Sequence, residues 1–222
     1  MVVYPDSLAC TMDSLNEDLF YGRTPPEAEV EAFAGWVLGR QGTAGKLAGA
    51  FIPTEEDLES GVRLFTGELL KTRLAARNIL TTEVARALFL LVPATPGVRE
   101  ALERANRWLL GMCFASSCVL GECAHSTLGW MRYLAAGALS DAEGRLETHL
   151  QVLSLHRDGR GRWKRFPFYY TLLALSETTL PAAVAEMRYA APACERSLRR
   201  WGTEGRFTAR QKVLLERVLA VV

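Results

Sequence analysis

The amino-acid sequence predicts an all-α protein built as a single domain over residues 1–222. Three observations support this prediction. Apolar residues recur at helical spacing along most of the chain, N-capping signals repeatedly restart that pattern, and very little of the sequence has the alternation of a strand. A hydrophobic fraction of 49% and a mean hydropathy of +0.05 allow a real core and exclude a disordered chain.

The N-terminal third is predicted to contain an arm and two helices. Residues 1–23 show no sustained period and are predicted to form an N-terminal arm. Thr24, with a glutamate three residues later, is predicted to cap a helix that ends near Gln41. A glycine-containing loop over 42–51 should follow, and a second capping signal at Thr54 starts a helix predicted to extend to Leu70.

Helical hairpins are predicted over residues 24–222. The remainder of this region contains further start signals and helix-breaking prolines. A helix starting at Thr82 must stop at Pro93, and a capping box at Ser140 starts another that ends near His156. The other predicted helices start near Thr95, Ala124, Phe168, Pro181, Pro192 and Thr208. The pattern therefore predicts about ten helices, with boundaries uncertain by about two to four residues.

Two segments of the chain resemble one another at a separation of 43 residues, Trp108–Leu128 and Gln151–Leu175. A third copy is indicated at Trp36, although its spacing is irregular. Each unit is predicted to form a helix, a glycine-containing loop and a second helix. Hairpins of this kind stack and bury a continuous core between neighbours.

The best of these units contains Asp-Gly-Arg-Gly-Arg-Trp at 158–163, followed by an aromatic helix over Tyr169–Leu175. This pattern resembles the repeat of the prenyltransferase and squalene-cyclase (terpenoid cyclase) family. The resemblance implies helical hairpins arranged in a partial or small α/α toroid around an apolar central cavity. The Asp-x-Asp-Asp motif of the cyclases does not occur in the sequence. We therefore expect a non-catalytic or vestigial member that binds a hydrophobic, isoprenoid-like ligand.

The alternative to such a binding protein is a prenyltransferase- or cyclase-type enzyme with a zinc site. Cys113, Cys118 and Cys123 are spaced by five residues, and His125 follows the last of them. Thiolate and imidazole are ligands that zinc prefers, and the intervening glycine and serines would let a loop wrap a metal. Glu122 beside His125 could form a general acid–base pair. The competing interpretation is that the thiols fill gaps between helices.

A basic loop precedes the aromatic helix of the best repeat. Arg160, Arg162 and Arg165 could hold a phosphate or diphosphate, and the neighbouring aromatic rings could contact an apolar ligand. Solvated arginines and core aromatics are the alternative. The aromatic residues that we predict to bind ligand are Trp130, Trp163, Phe166, Tyr169 and Tyr170.

Charge is distributed unevenly along the chain, with a net of −8 over residues 1–70 and +7 over residues 151–222. The two ends could attract one another within a domain or between protomers, or the basic end could bind an anion. A partial toroid would also leave one edge of its ring open. Together with the charge asymmetry, this edge allows a third function, a scaffold for protein interaction, and it allows a homodimer. We expect no nucleic acid as partner.

The cysteine content and the N-terminus bear on localisation. Five cysteines are an odd number, and three of them lie close together, unlike a secreted disulfide framework. No signal peptide is visible, and the longest uncharged run is too short for a membrane span, which takes about 20 residues. We expect a cytoplasmic protein.

Overall fold

A computed structural model of the chain describes residues 2–202 and 205–222. This part of the chain is all-α, with three isolated β-bridges as its only extended pairings. Its α-helices are α1 (Leu8–Phe20), α2 (Glu27–Leu38), α3 (Glu55–Ser60), α4 (Arg73–Leu91), α5 (Pro96–Leu110), α6 (Cys123–Ala135), α7 (Ala142–Leu155), α8 (Phe168–Ser176), α9 (Pro181–Arg199) and α10 (Arg206–Val221). The predicted fold class is confirmed.

The predicted N-terminal arm is wrong over most of its length, because residues 8–20 form helix α1. Ser7 caps the helix, its hydroxyl accepting the Cys10 N–H at 3.0 Å. The buried Asp57 carboxylate accepts the Ser7 hydroxyl at 2.6 Å and the Leu8 N–H at 3.0 Å. These contacts satisfy the free N–H groups of the first turn, while the apolar face of the helix, including Leu15, is buried in the core.

The helix predicted from Thr54 to Leu70 is much shorter than expected. It ends at Ser60 because Gly61 takes a positive φ of 79°, and the chain then forms a turn with a bridge between Arg63 and Leu69. The next helix, α4, begins at Arg73, nine residues earlier than the predicted start at Thr82.

Helix α9 replaces the two short helices predicted on either side of Pro192. It continues through this proline from Pro181 to Arg199. Pro192 is exposed, so water can reach the carbonyl that loses its helical partner.

Helices α1, α4, α6, α8 and α10 contact one another in that order, and we call them the central helices. Helices α5, α7 and α9 pack on α4, α6 and α8 respectively. Gly129 lets α6 approach α4 closely, since a Cβ at this position would lie 2.6 Å from the Thr82 hydroxyl. The order of contacts suits stacked hairpins, and closure into a toroid stays a prediction.

The acidic start and the basic end of the chain meet in this arrangement. Arg210 on α10 is almost fully buried and bonds the Asp13 carboxylate on α1 at 2.7 and 3.0 Å, as well as the Glu17 carboxylate. Arg206 adds a contact of 3.3 Å to Asp13. The intramolecular interpretation of the charge asymmetry is confirmed for these residues.

None of the helices described here combines the length and the apolar character that crossing a membrane requires.

Candidate functional site

The three clustered cysteines come together at the N-terminus of α6. The sulfur atoms of Cys113, Cys118 and Cys123 all lie within 4.8 Å of one another, and those of Cys113 and Cys123 are 3.6 Å apart. Two thiolates on a tetrahedral zinc, with Zn–S bonds of about 2.3 Å, are separated by about 3.8 Å. The thiols are therefore close to the spacing that a shared metal ion requires, and the cluster could hold one.

Buried contacts hold residues 113–123, which carry the three cysteines and which we call the cysteine loop, in place. Phe114, next to the first cysteine, is fully buried. The Thr127 hydroxyl on α6 bonds the Cys118 carbonyl at 2.9 Å and the Phe114 carbonyl at 3.3 Å. Ser117 has a positive φ of 63°, and its hydroxyl lies 2.6 Å from Nδ1 of the buried His149 on α7. These anchors determine where the thiols lie before any ion binds.

The electrostatics of the three thiols are unequal. The Leu120 backbone N–H donates to the Cys118 sulfur and lowers the pKa of this thiol, with further contributions from the neighbouring cysteines. Burial and the other two sulfurs raise the pKa of Cys123 to about 12. Cys118 is therefore the thiol that ionises more readily, and a cation would be needed to deprotonate Cys123 near neutral pH.

His125 lies outside this group of ligand atoms, and its role as a metal ligand stays a prediction. The mutually close ligand atoms are those of the three thiols and do not include its ring nitrogens. Burial lowers the pKa of His125, with Glu122 and Glu68 opposing the shift. The Glu122 carboxylate accepts the Lys71 backbone N–H at 2.6 Å. The His125 backbone N–H donates to the Glu122 carbonyl at 3.0 Å, but among the described contacts no hydrogen bond joins their side chains. The acid–base pair stays a prediction.

A cavity of about 460 Å³ lies among the ends of the central helices. We call it the inter-helix cavity. Its apolar wall comes from α1, α8, α10 and the turn before α4. Its polar part comes from α1, α4, α6, the end of α8 and α10. The apolar residues are Leu19, Phe20, Phe65, Leu173, Ala220 and Val221, and the charged residues are Arg86, Arg132, Glu177 and Arg217.

Arg86 is the residue of this cavity with unused hydrogen-bonding capacity. Its Nη2 donates to Glu177 at 2.9 Å, and Nη1 makes a long 3.4 Å contact with Asn16. Its Nε is buried and has no partner. Nε is too deeply buried for a ligand to reach, whereas Nη1 has only the long contact, so a ligand that accepts a hydrogen bond from Nη1 would be favoured.

The predicted ligand-binding aromatic residues do not line the inter-helix cavity. Trp130 and Tyr170 are fully buried, and the Tyr170 hydroxyl bonds Glu83 at 2.6 Å. Trp163 is buried with its indole N–H on Glu186 at 2.8 Å. Phe166 is also buried, with its ring against His156. These four residues therefore pack the core and support the basic loop.

The remaining predicted residues divide into two groups. Arg160, Arg162 and Tyr169 line a second cavity of about 610 Å³ between the basic loop, α9 and α10. Arg165 has a positive φ of 71° and contacts the Val119 carbonyl at 3.5 Å, beside the cysteine loop. The basic loop thus contributes to two different surfaces.

Sequence reasoning missed the polar residues of the inter-helix cavity. Asn16, Arg86 and Glu177 are far apart in the chain and meet through tertiary packing. One signal was present, because Glu83 and Arg86 interrupt the largely apolar helix α4 at a spacing of three residues. A charged pair inside such a helix indicates a polar contact within the core.

No protein-family model matches this chain, and neither a curated protein nor a solved structure matches it. The resemblance to the prenyltransferase and squalene-cyclase repeat therefore stays a prediction.

Proposed function

We propose that this protein binds a hydrophobic small molecule of the isoprenoid type, with one polar end, in the inter-helix cavity. The observation that carries the proposal is an apolar wall together with Arg86, whose Nη1 has only one long hydrogen-bond contact. The volume of about 460 Å³ lies in the usual range for small-molecule sites. The proposal keeps the predicted ligand class and moves its site to residues that the sequence did not indicate.

The chemistry of the cavity favours an uncharged polar end. Glu177 contributes a carboxylate. Burial raises the pKa of this carboxyl group, but Arg132 and Arg86 lower it by more, so that the net shift is downward. This carboxylate stays ionised and offsets part of the arginine charge. A hydroxyl or carbonyl oxygen can accept an N–H of Arg86 Nη1 without adding a second anion to the cavity.

Farnesol, an isoprenoid alcohol, is expected to bind, and Arg86→Lys should weaken its binding about tenfold, since lysine keeps the charge but lacks the Nη1 donor. The hydrocarbon of the same skeleton should be affected by less than twofold. Ala220→Trp fills the mouth of the cavity from an exposed position and should abolish binding of both molecules. Dissociation constants from titration with detection by native mass spectrometry would measure these effects.

The control for this experiment is Ala182→Trp, an exposed position on α9, which should leave both affinities unchanged. Equal binding of farnesol to the wild type and to Ala220→Trp would contradict the proposal.

We also propose zinc as the metal of the cysteine cluster. The three thiolates would be its protein ligands, and water would complete the tetrahedron, as in zinc sites that keep an open position. The observation in favour is the close approach of three sulfur atoms on a loop anchored by buried side chains. When bound, zinc would supply Lewis-acid character and would deprotonate the thiols; the chain supplies their position.

Protein purified without chelator is expected to contain about one zinc per chain, and Cys118→Ser should reduce this content at least tenfold, because it removes one of three thiolate ligands. Elemental analysis would measure the metal, and circular dichroism would show that the helices persist. Cys10→Ser replaces an exposed cysteine on α1 and serves as the control. A Cys113–Cys123 disulfide in place of bound metal would contradict the proposal.

Catalysis by Glu122 and His125, the interaction scaffold and the homodimer stay predictions. The scaffold and the homodimer are separable from the two proposals above, since neither requires the inter-helix cavity or the thiols to be occupied, whereas the enzyme alternative shares the zinc site.

A further inference from the structure

The basic residues of the C-terminal third fall into paired and unpaired groups. Arg206 and Arg210 pair with acidic residues of α1, Arg157 pairs with Glu186, and Arg199 pairs with Glu195. In residues 2–202 and 205–222, no carboxylate lies within ion-pair distance of four other arginines. These are Arg160, Arg162, Arg196 and Arg200, and together they line the cavity of about 610 Å³. We call it the arginine pocket.

The structure positions two of these guanidinium groups. The Arg162 guanidinium stacks on the Phe168 ring at 4.3 Å. The Arg196 guanidinium donates to the Arg160 carbonyl at 2.6 Å, which joins α9 to the basic loop. Each group keeps further N–H donors for a ligand, because a guanidinium carries five. Part of the ordering that anion binding requires is therefore already present in the free protein.

The loop that carries Arg160 and Arg162 is itself held firmly. The Asp158 carboxylate accepts their backbone N–H groups at 2.7 and 3.0 Å, and also the Tyr189 hydroxyl at 3.0 Å. Gly161 has a φ of 87°, and a Cβ there would lie 2.9 Å from Ala193 on α9. This close approach seats the loop against α9 and places its arginines beside those of that helix.

Asp158 is the acidic group that lines the pocket. Hydrogen bonds from backbone N–H groups, above all that of Arg160, lower the pKa of this carboxyl group and keep it ionised. One carboxylate already occupied by N–H donors offsets part of the charge of four guanidinium groups. The pocket thus keeps a positive potential, and polar groups such as the Tyr169 hydroxyl and the Gln211 amide complete its lining.

We propose that the arginine pocket binds a small molecule that carries two or more phosphate groups. Arginines contributed by both the loop and α9 suit an extended anion with several oxygen atoms better than a single phosphate, since each guanidinium can form a bidentate contact. The volume leaves room for an organic group next to the phosphates. This site is separate from the inter-helix cavity and from the cysteine cluster.

Inorganic triphosphate is the probe that tests the proposal, in calorimetric titrations of the full chain at 50 and 300 mM salt. We expect saturable binding that is at least tenfold tighter than that of inorganic phosphate or sulfate and that weakens at the higher salt. Arg160→Gln/Arg196→Gln should reduce the affinity at least tenfold. Arg99→Gln/Arg107→Gln removes the same charge from exposed positions on α5 and should reduce it less than twofold.

The substituted arginines are exposed, so the thermal midpoints of both double variants should stay close to that of the wild type. Absence of triphosphate binding, equal affinity for sulfate, or equal losses in the two double variants would each overturn the proposal. Ala220→Trp, which fills the inter-helix cavity, should leave triphosphate binding intact. This result would separate failure of the arginine pocket from failure of the proposed hydrophobic-ligand site.

Discussion

Arg132→Met is expected to lower the free energy of unfolding by about 3–5 kcal/mol, the usual effect of removing one partner from a buried ion pair. Arg132 is 2% exposed and lies between two carboxylates. Its guanidinium donates to Glu177 at 2.9 and 2.8 Å and also to Glu83. Methionine fills a similar space, but it leaves these carboxylates inside the protein with Arg86 as the nearby cation.

The magnitude is large because Glu83 connects several central helices. Its carboxylate also accepts the Asn16 amide at 3.0 Å and the Tyr170 hydroxyl at 2.6 Å. Helices α1, α4, α6 and α8 thus meet at one buried group, and Arg132 is a cation that compensates its charge. Burial lowers the pKa of Arg132, but Glu177 and Glu83 reverse the shift and raise it well above its ordinary value.

Urea unfolding followed by circular dichroism would measure the loss. The control is Arg145→Met, which removes an exposed i, i+4 pair with Asp141 and should cost less than about 1 kcal/mol. Arg132→Lys keeps the charge without the planar fork and should fall between the two. A loss below about 1 kcal/mol for Arg132→Met would show that the buried network does not stabilise the fold.

The helices that the sequence predicted well have strong local start signals. Helix α8 begins at Phe168 and helix α5 at Pro96, as expected, because a proline and an uninterrupted apolar or amphipathic pattern mark each start. Helix α1 was missed although Ser7 precedes Leu8, Met12 and Leu15 at helical spacing. A capping serine followed by apolar residues at this spacing is a local signal for a helix start.

Other boundaries depend on tertiary structure. The stretch after Gly61 has a helical pattern of apolar residues, yet it folds as a turn whose Leu64 and Phe65 are buried between other elements. Pro192 lies inside α9 because its neighbours Ala190 and Ala193 are buried against the rest of the protein. Packing of distant segments overrides local propensity at both places.

The candidate sites were predictable to different degrees. The spacing of the three cysteines within 11 residues pointed correctly to a cluster. Arg160 and Arg162 were predicted as anion ligands. Arg196 and Arg200 were not, since nothing local in the sequence shows that α9 lies beside the basic loop. The inter-helix cavity requires five helices to be in place, and no local pattern encodes it.

His149 is expected to make the protein about 2 kcal/mol less stable at pH 5.0 than at pH 7.5. Its side chain is buried against Ser117, and burial, with a contribution from Arg145, lowers its pKa to about 4. An unfolded histidine has a pKa of about 6.5. Between these two values the unfolded chain binds the proton and the native chain does not, so stability is complete above pH 6.5 and falls as the pH drops towards 4.

His149→Gln isolates this contribution from that of every other titrating group. The free energy of unfolding would be measured for both proteins at pH 7.5 and 5.0, with chelator present so that metal release does not enter. The substitution is expected to reduce the loss between the two pH values by about 2 kcal/mol, whatever its effect at pH 7.5. Identical pH dependence in the two proteins would show that the titration of His149 does not affect the free energy of unfolding. Because the same histidine holds Ser117 beside Cys118, its protonation should also loosen the cysteine loop, which links acid sensitivity to the proposed metal centre.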